Sequence, residues 1–418
     1  MKSVNPFLEK TKPIEKSYQG LKKLALKPYD PKTTSPFTKV RVILMNGTEF
    51  EANWFSHQFS RHCPDNDLRR EIAIIRRSEQ LQQKKIASLK PISESILQHT
   101  IGYEQLAVEL TAILAQRVSD SNVKNALNFA LLEDFDHVFR YANLLEMDEG
   151  IKAENLLGCY TEVMPARPTI SEHRYPADEI KAYINSKKAD LFTKLTVNII
   201  TAAEQQTMNF YMNQANFYPN EIGRNLYSEI ALIEEQHVSQ YGSLIDTNCT
   251  WLECLVMHEY TECYLYYSCY QDESHEEIKN LWYECYLEEC AHLQKALKLL
   301  EKYEKKSIDD LFPTGAEFPE LLKFGENKEY VRKVLKETGN YTACLEGYQR
   351  VDKLDAKAPF FKYNSTLTNP SKSVASHMVI EKHIAKCGKD YRYEEKANPI
   401  VSLRDRKVDN TEYGRKQQ

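Results

Sequence analysis

Three glutamates in this chain are each followed, 30 residues later, by a carboxylate with a histidine three positions beyond it. Glu104 leads to Asp134 and His137, Glu204 to Glu234 and His237, and Glu259 to Glu289 and His292. On a helix, residues i and i+3 share a face, so each carboxylate–histidine pair can grip one cation. The chemistry open to such a set is that of paired transition metals. Carboxylates hold the charge and can bridge two ions, and each histidine adds one nitrogen donor.

Helices must position these residues, and the turns fall where the spacing requires. Ser119-Asp120-Ser121-Asn122, Phe217-Tyr218-Pro219-Asn220 and Asp272-Glu273-Ser274 each lie about midway between a glutamate and its partner carboxylate. Pro219 disfavours a continuous helix, and Ser274 with Glu277 reads as a capping box. Each pair is therefore expected on two antiparallel helices, its carboxylates level across the hairpin and roughly 22 Å from the turn at about 1.5 Å per residue. The apolar stripes agree. Leu97, Ile101 and Val108 flank Glu104; Leu127, Leu131 and Val138 flank Asp134; Val197, Ile200 and Met208 flank Glu204. Leu226, Ile230 and Tyr241 flank Glu234; Leu252, Leu255 and Cys263 flank Glu259; Trp282, Cys285 and Ala296 flank Glu289. Six carboxylates thus fall on core-facing stripes. Since an unpaired buried carboxylate costs several kcal/mol, they call for cations.

On these motifs, residues 92–303 resemble the ferritin-like superfamily, whose enzymes include rubrerythrin, manganese catalase and the ribonucleotide reductase small subunit. The resemblance implies an all-α fold: a ferritin-like helical bundle, here with an extra third helix hairpin. It also implies two iron ions, alternatively manganese or a mixed pair. Asp134 departs from the usual glutamate and shortens the reach by one methylene, and the family needs two hairpins where this chain offers three. The long segment between His137 and Glu204, with the Pro-rich stretch 164–176, matches the crossover such a bundle uses between its second and third helices. Glu104, Asp134, His137, Glu204, Glu234 and His237 are therefore expected to form the primary site. Glu259, Glu289 and His292 would add to it, replace its second set, or persist as a relic. His173, in the crossover, is a weaker candidate as a ligand or gate. Glu262 and His258 could extend a site, though ordinary rim positions suit them better.

The remaining sequence bounds the function. A net charge of −5 with scattered lysines and arginines gives no nucleic-acid signal. No apolar run of 18 residues and no N-terminal targeting segment is visible, so no membrane partner and a cytoplasmic location are expected. Ten cysteines include no Cys-x-x-Cys pair, which excludes a rubredoxin-type iron centre and points to an external electron donor. Cys254, Cys263, Cys269, Cys285 and Cys290 read as buried and reduced, and the many tyrosines, such as Tyr260, Tyr264 and Tyr266, as packing. Residues 40–54 read as a β-hairpin turning at Asn46-Gly47, with His57 and His62 in a surface loop and a charged helix over 65–89. Three stretches are expected: an N-terminal extension over 1–90, the helical domain over 91–303, and a wrapping or disordered segment over 304–418 with a helix at 327–338. The leading expectation for function is rubrerythrin-like peroxide reduction by a di-metal oxidoreductase, taking a small-molecule oxidant or substrate and open to homo-oligomerisation. The alternatives are a di-metal oxygenase or oxidase of an organic substrate, and a non-catalytic metal-binding or helical interaction protein.

Overall fold

The computed structural model describes residues 4–167, 169–369, 374–388, 392 and 396–404. Pro168 of the crossover and the polar tail at 405–418 lie outside the described residues. The fold is mostly helical. Four helix hairpins dominate it: α1 (Pro36–His62) with α2 (Asn66–Ser88), and α3 (Ile96–Arg117) with α4 (Ser121–Glu149). After the short α5 (Ala153–Leu157) and α6 (Thr169–Glu172) come α7 (Leu191–Phe217) with α8 (Glu221–Gly242), then α9 (Trp251–Asp272) with α10 (Glu276–Glu304). The chain continues through α11 (Ile308–Leu311) and α12 (Lys328–Thr338) to an antiparallel ribbon of β1 (Tyr341–Cys344) and β2 (Gly347–Arg350), then α13 (Pro359–Leu367) and α14 (Ala375–Cys387). Among the described residues no helix is long and apolar enough to cross a membrane.

The chain divides into two compact units, each made of three segments. The first unit is Met1–Ser93, Ile184–Ala203 and Ile245–Phe324; the second is Glu94–Tyr183, Glu204–Leu244 and Gly325–Gln418. This differs from the three consecutive stretches expected. Residues 1–90 are no extension, because α1 and α2 pack with α9 and α10 in a four-helix arrangement. In the second unit α3 and α4 pack together and α4 meets α8, with α12 and α14 against their outer faces. Its core joins Leu97, Ile101, Val108, Leu131, Val138, Leu226 and Ile230.

The expected β-hairpin over 40–54 is helix throughout. Ser35 accepts from the Phe37 amide, Pro36 takes the first helical position, and residues 37–45 are all buried. A helix buried all round has no alternation of polar and apolar residues to betray its period, so β-branched residues and Asn46-Gly47 mimicked a strand and turn. His57 and His62 are exposed, but on α1 rather than in a loop. The helix ends elsewhere follow local chemistry. Asp65, Asp120 and Asn220 cap α2, α4 and α8, and capping boxes open α3 (Ser95, Gln98) and α9 (Thr250, Glu253). The box expected at Ser274 does not form: α10 opens after His275, and the Glu273 carboxylate accepts from the amides of Ser274 and His275 instead.

Candidate metal centre

In the second unit, α3, α4, α7 and α8 each deliver buried acidic side chains to one cluster. Glu104, Asp134, His137 and Glu234 bring one ligand atom each within 4.8 Å of one another, and so do Asp134, Glu204, Glu234 and His237. The two groups overlap in Asp134 and Glu234. All six residues are buried. Both oxygens of Asp134, both of Glu204 and one of Glu104 have no hydrogen-bond partner. Buried oxygens in that condition need a cation or a proton.

The imidazoles are oriented by partners on their far sides. His137 presents Nδ1 to Glu234 at 3.1 Å and Nε2 to Glu172 at 3.5 Å. His237 presents Nδ1 to Glu234 at 3.2 Å and Asp134 at 3.3 Å, while its Nε2 lies 2.6 Å from Glu133. A carboxylate behind a metal-binding histidine fixes the tautomer and raises the basicity of the inner nitrogen. Glu133 is itself anchored, since Arg174 donates to both its oxygens at 2.8 Å and the Arg167 guanidinium lies 3.9 Å away. Burial would raise Glu133, but Arg174 and His237 hold it down at about 2. Burial and mutual repulsion push Glu104 and Asp134 well above the carboxylate range and Glu204 up to about 7. Burial works against the charged forms of His137 and His237, yet the carboxylates around them raise both well above the usual imidazole value. A cluster free of cations would thus hold protons, which is the state a metal displaces.

Glu172 and Arg174 both come from the crossover, one on each side of His173. His173 itself turns to Glu229 at 3.3 Å and belongs to none of the ligand groups found among the described residues. Four buried tyrosines, Tyr141, Tyr211, Tyr227 and Tyr241, flank the cluster. The Tyr211 hydroxyl donates to Glu104 at 2.5 Å, and the Tyr241 ring lies 6.3 Å from the His237 ring, tilted by 55°.

Glu259, Glu289 and His292 lie in the first unit, where they meet residues from α1 and α2. One ligand group there is Glu79, Glu259 and His292; another is Glu259, Glu262 and Glu289. Gln82 donates to Glu289 at 2.6 Å, and Tyr266 donates to Glu49. All seven of Glu49, Glu79, Gln82, Glu259, Glu262, Glu289 and His292 are buried, so the rim position expected for Glu262 is corrected. His258 is also buried, but away from these ligand groups: it stacks on Phe55 and pairs with Glu51 at 3.2 Å. Glu49, Glu79 and Gln82 were legible in the chain: Glu79 follows Glu49 by 30 residues, and Gln82 stands where a histidine would complete the motif. The correspondence extends to the tyrosines, because Tyr211 and Tyr266 each lie seven residues after Glu204 and Glu259 and each donates to the first glutamate of the opposing hairpin. The five third-hairpin cysteines are free; Cys263, Cys269, Cys285 and Cys290 are buried and Cys254 half-buried.

No family model, curated protein or solved structure matches this chain.

Proposed function

We propose that Glu104, Asp134, His137, Glu204, Glu234 and His237 hold two iron or manganese ions in a centre of the ferritin-like kind, and that the protein reduces peroxide with electrons from a separate donor. The observation that carries this reading is the overlap of two four-residue ligand groups in Asp134 and Glu234, the arrangement two bridging carboxylates require. The charges fit as well: four carboxylates balance two divalent ions, and each position receives one imidazole. Two such ions supply paired electrons and open positions for O–O cleavage.

The protein's own groups have definite tasks in this scheme. Glu133 and Glu172 orient the imidazoles from behind, Arg174 and Arg167 keep Glu133 charged, and Tyr211 holds a proton against Glu104. Each peroxide reduced takes two electrons and two protons, and in this scheme a separate donor returns the two electrons to the centre, since the chain has no Cys-x-x-Cys pair to hold a rubredoxin-type iron.

The test is metal analysis of protein purified without added metal and after iron reconstitution, followed by anaerobic peroxide turnover with a chemical reductant. Stoichiometric metal in the wild type, sharply reduced in His137→Ala and His237→Ala, is expected together with peroxide-dependent oxidation. Metal content unchanged by both substitutions would overturn the site. A second reading, oxidation of an organic substrate by dioxygen, is favoured by Tyr141, Tyr211 and Tyr227, whose rings lie 5.0–5.8 Å apart and could pass oxidising equivalents outward. Dioxygen uptake that depends on an added organic substrate, without peroxide turnover, would select it.

A further inference from the structure

We infer that the first unit carries a second cation site of its own, built from Glu49, Glu79, Glu259, Glu262, Glu289 and His292, and that it takes hard, oxygen-seeking divalent ions such as Mn2+. The inference uses only first-unit residues and stands whether or not the second unit binds iron.

Charge is the first argument. Five carboxylates are buried together, and among the described residues the one basic group within ion-pair distance of any of them is His292, 3.0 Å from Glu289 and 3.6 Å from Glu259. The nearby Lys85 is directed elsewhere, at 3.8 Å from Glu288. One imidazolium cannot balance five carboxylates, and uncompensated charge at this depth is strongly unfavourable.

Unmade hydrogen bonds are a second, independent sign of a missing ligand. Both oxygens of Glu262 and both of Glu259 lack a hydrogen-bond partner, as do one oxygen each of Glu49, Glu79 and Gln82 and the outer nitrogen of His292. A proton shared between two neighbouring carboxyls, as between Glu79 and Glu259, cancels one charge and leaves the other oxygens of the group unpartnered. A divalent cation between the carboxylates offsets two charges and engages several of these oxygens at once. The positions for it are specific: Glu79, Glu259 and His292 converge on one point and Glu259, Glu262 and Glu289 on another, with Glu259 common to both.

The donor set fixes the class of ion. Where His137 faces Glu234 in the second unit, Gln82 faces Glu289 here through its amide nitrogen, leaving its amide oxygen unpartnered. The first unit therefore offers five carboxylates and one imidazole, the second four carboxylates and two imidazoles. Fewer nitrogen donors and more oxygen donors favour manganese-like ions over those that prefer imidazole.

Mn2+ itself is the probe. Full-length protein is stripped with chelator and titrated with MnCl2, bound ion being read from loss of the free-ion paramagnetic resonance signal. In His137→Ala/His237→Ala, which disables the second unit, Mn2+ binding should persist; adding Glu259→Gln/Glu262→Gln to that background should abolish it. Loss of all Mn2+ from the double-histidine variant, with metal retained in the wild type, overturns this site and leaves the second-unit reading intact. Should the fourfold variant fail to fold, Glu262→Gln alone in the double-histidine background decides by melting temperature. The upward shift caused by Mn2+ should shrink clearly; an undiminished shift, or none in the parent, overturns the inference.

Discussion

Glu133 and Asp134 are consecutive and equally buried, yet the protein holds them in opposite states. Asp134 is pushed up by burial and by Glu204 and Glu234, whereas Arg174 and His237 keep Glu133 ionised against the same burial. The difference lies in where each side chain leaves the helix, one toward the cluster and one toward the crossover. Glu133→Ala should therefore cost about 3–5 kcal/mol, because it strands Arg174 and Arg167 without their counter-charge. Chemical denaturation of metal-free protein measures this, and a loss below 1 kcal/mol, within the range of about 0–1 kcal/mol typical of exposed ion pairs, would show that the arginines find other partners. Tyr211→Phe removes one hydrogen bond to a carboxyl and should cost about 1–3 kcal/mol while the metal content stays unchanged.

Between α9 and α10 the chain relies on Glu273 rather than on a capping box. Its carboxylate accepts from Thr38 at 2.7 Å, from Arg41 at 3.0 Å, and from two backbone amides at the start of α10. Ser274→Ala should accordingly change stability by no more than about 0.5 kcal/mol, whereas Glu273→Ala should cost about 1–3 kcal/mol by leaving Thr38 and two amides without their acceptor and Arg41 with Asp272 alone, at 2.7 Å. Equal effects of the two substitutions, read by thermal melts, would contradict the observed cap. Turn residues and capping signals made the later hairpins legible in the sequence, since Asp120 and Pro219-Asn220 act locally. The start of α1 was not legible, because unbroken burial over residues 37–45 erased its period and Gly47 imitated a turn. The pairing of α3–α4 with α7–α8 was legible through the crossover, but the partner of the third hairpin was hidden: Glu259 looks like Glu104 along the chain, and α1–α2 is selected by packing between distant segments. The crossover was legible as a connection, but His173 drew attention while the side chains that reach the cluster region are its neighbours Glu172 and Arg174.

Taken over the entire protein, the buried acids set a pH dependence. Glu204 and Glu79 rise from 4.5 to about 7 on folding, chiefly through burial. A carboxyl with a raised folded value binds more protons folded than unfolded, so stability falls as pH climbs through that window. His137 and His237, also raised, contribute stability at low pH and lose it as pH rises, which is the same sign. Glu133 and Glu273, held below the carboxylate range, act in the opposite sense and only as pH drops under 4.5. Chelated protein should thus melt highest near pH 5 and lower by several degrees at pH 8, while metal-loaded protein should vary much less. A chelated protein that is most stable at pH 8 would show that the acids are satisfied in another way.

The nesting of the hairpins dictates the order in which a ribosome supplies the parts. Helices α1 and α2 emerge first, but α9 and α10, which complete their bundle, begin only at Trp251. The hairpins α3–α4 and α7–α8 are both complete by Gly242. The second unit's four long helices are thus available while α1 and α2 still wait with Glu49, Glu79 and their apolar faces uncovered, a state open to capture by chaperones. Pulsed hydrogen exchange on stalled nascent chains released at increasing lengths should show α3 and α4 protected before α1 and α2.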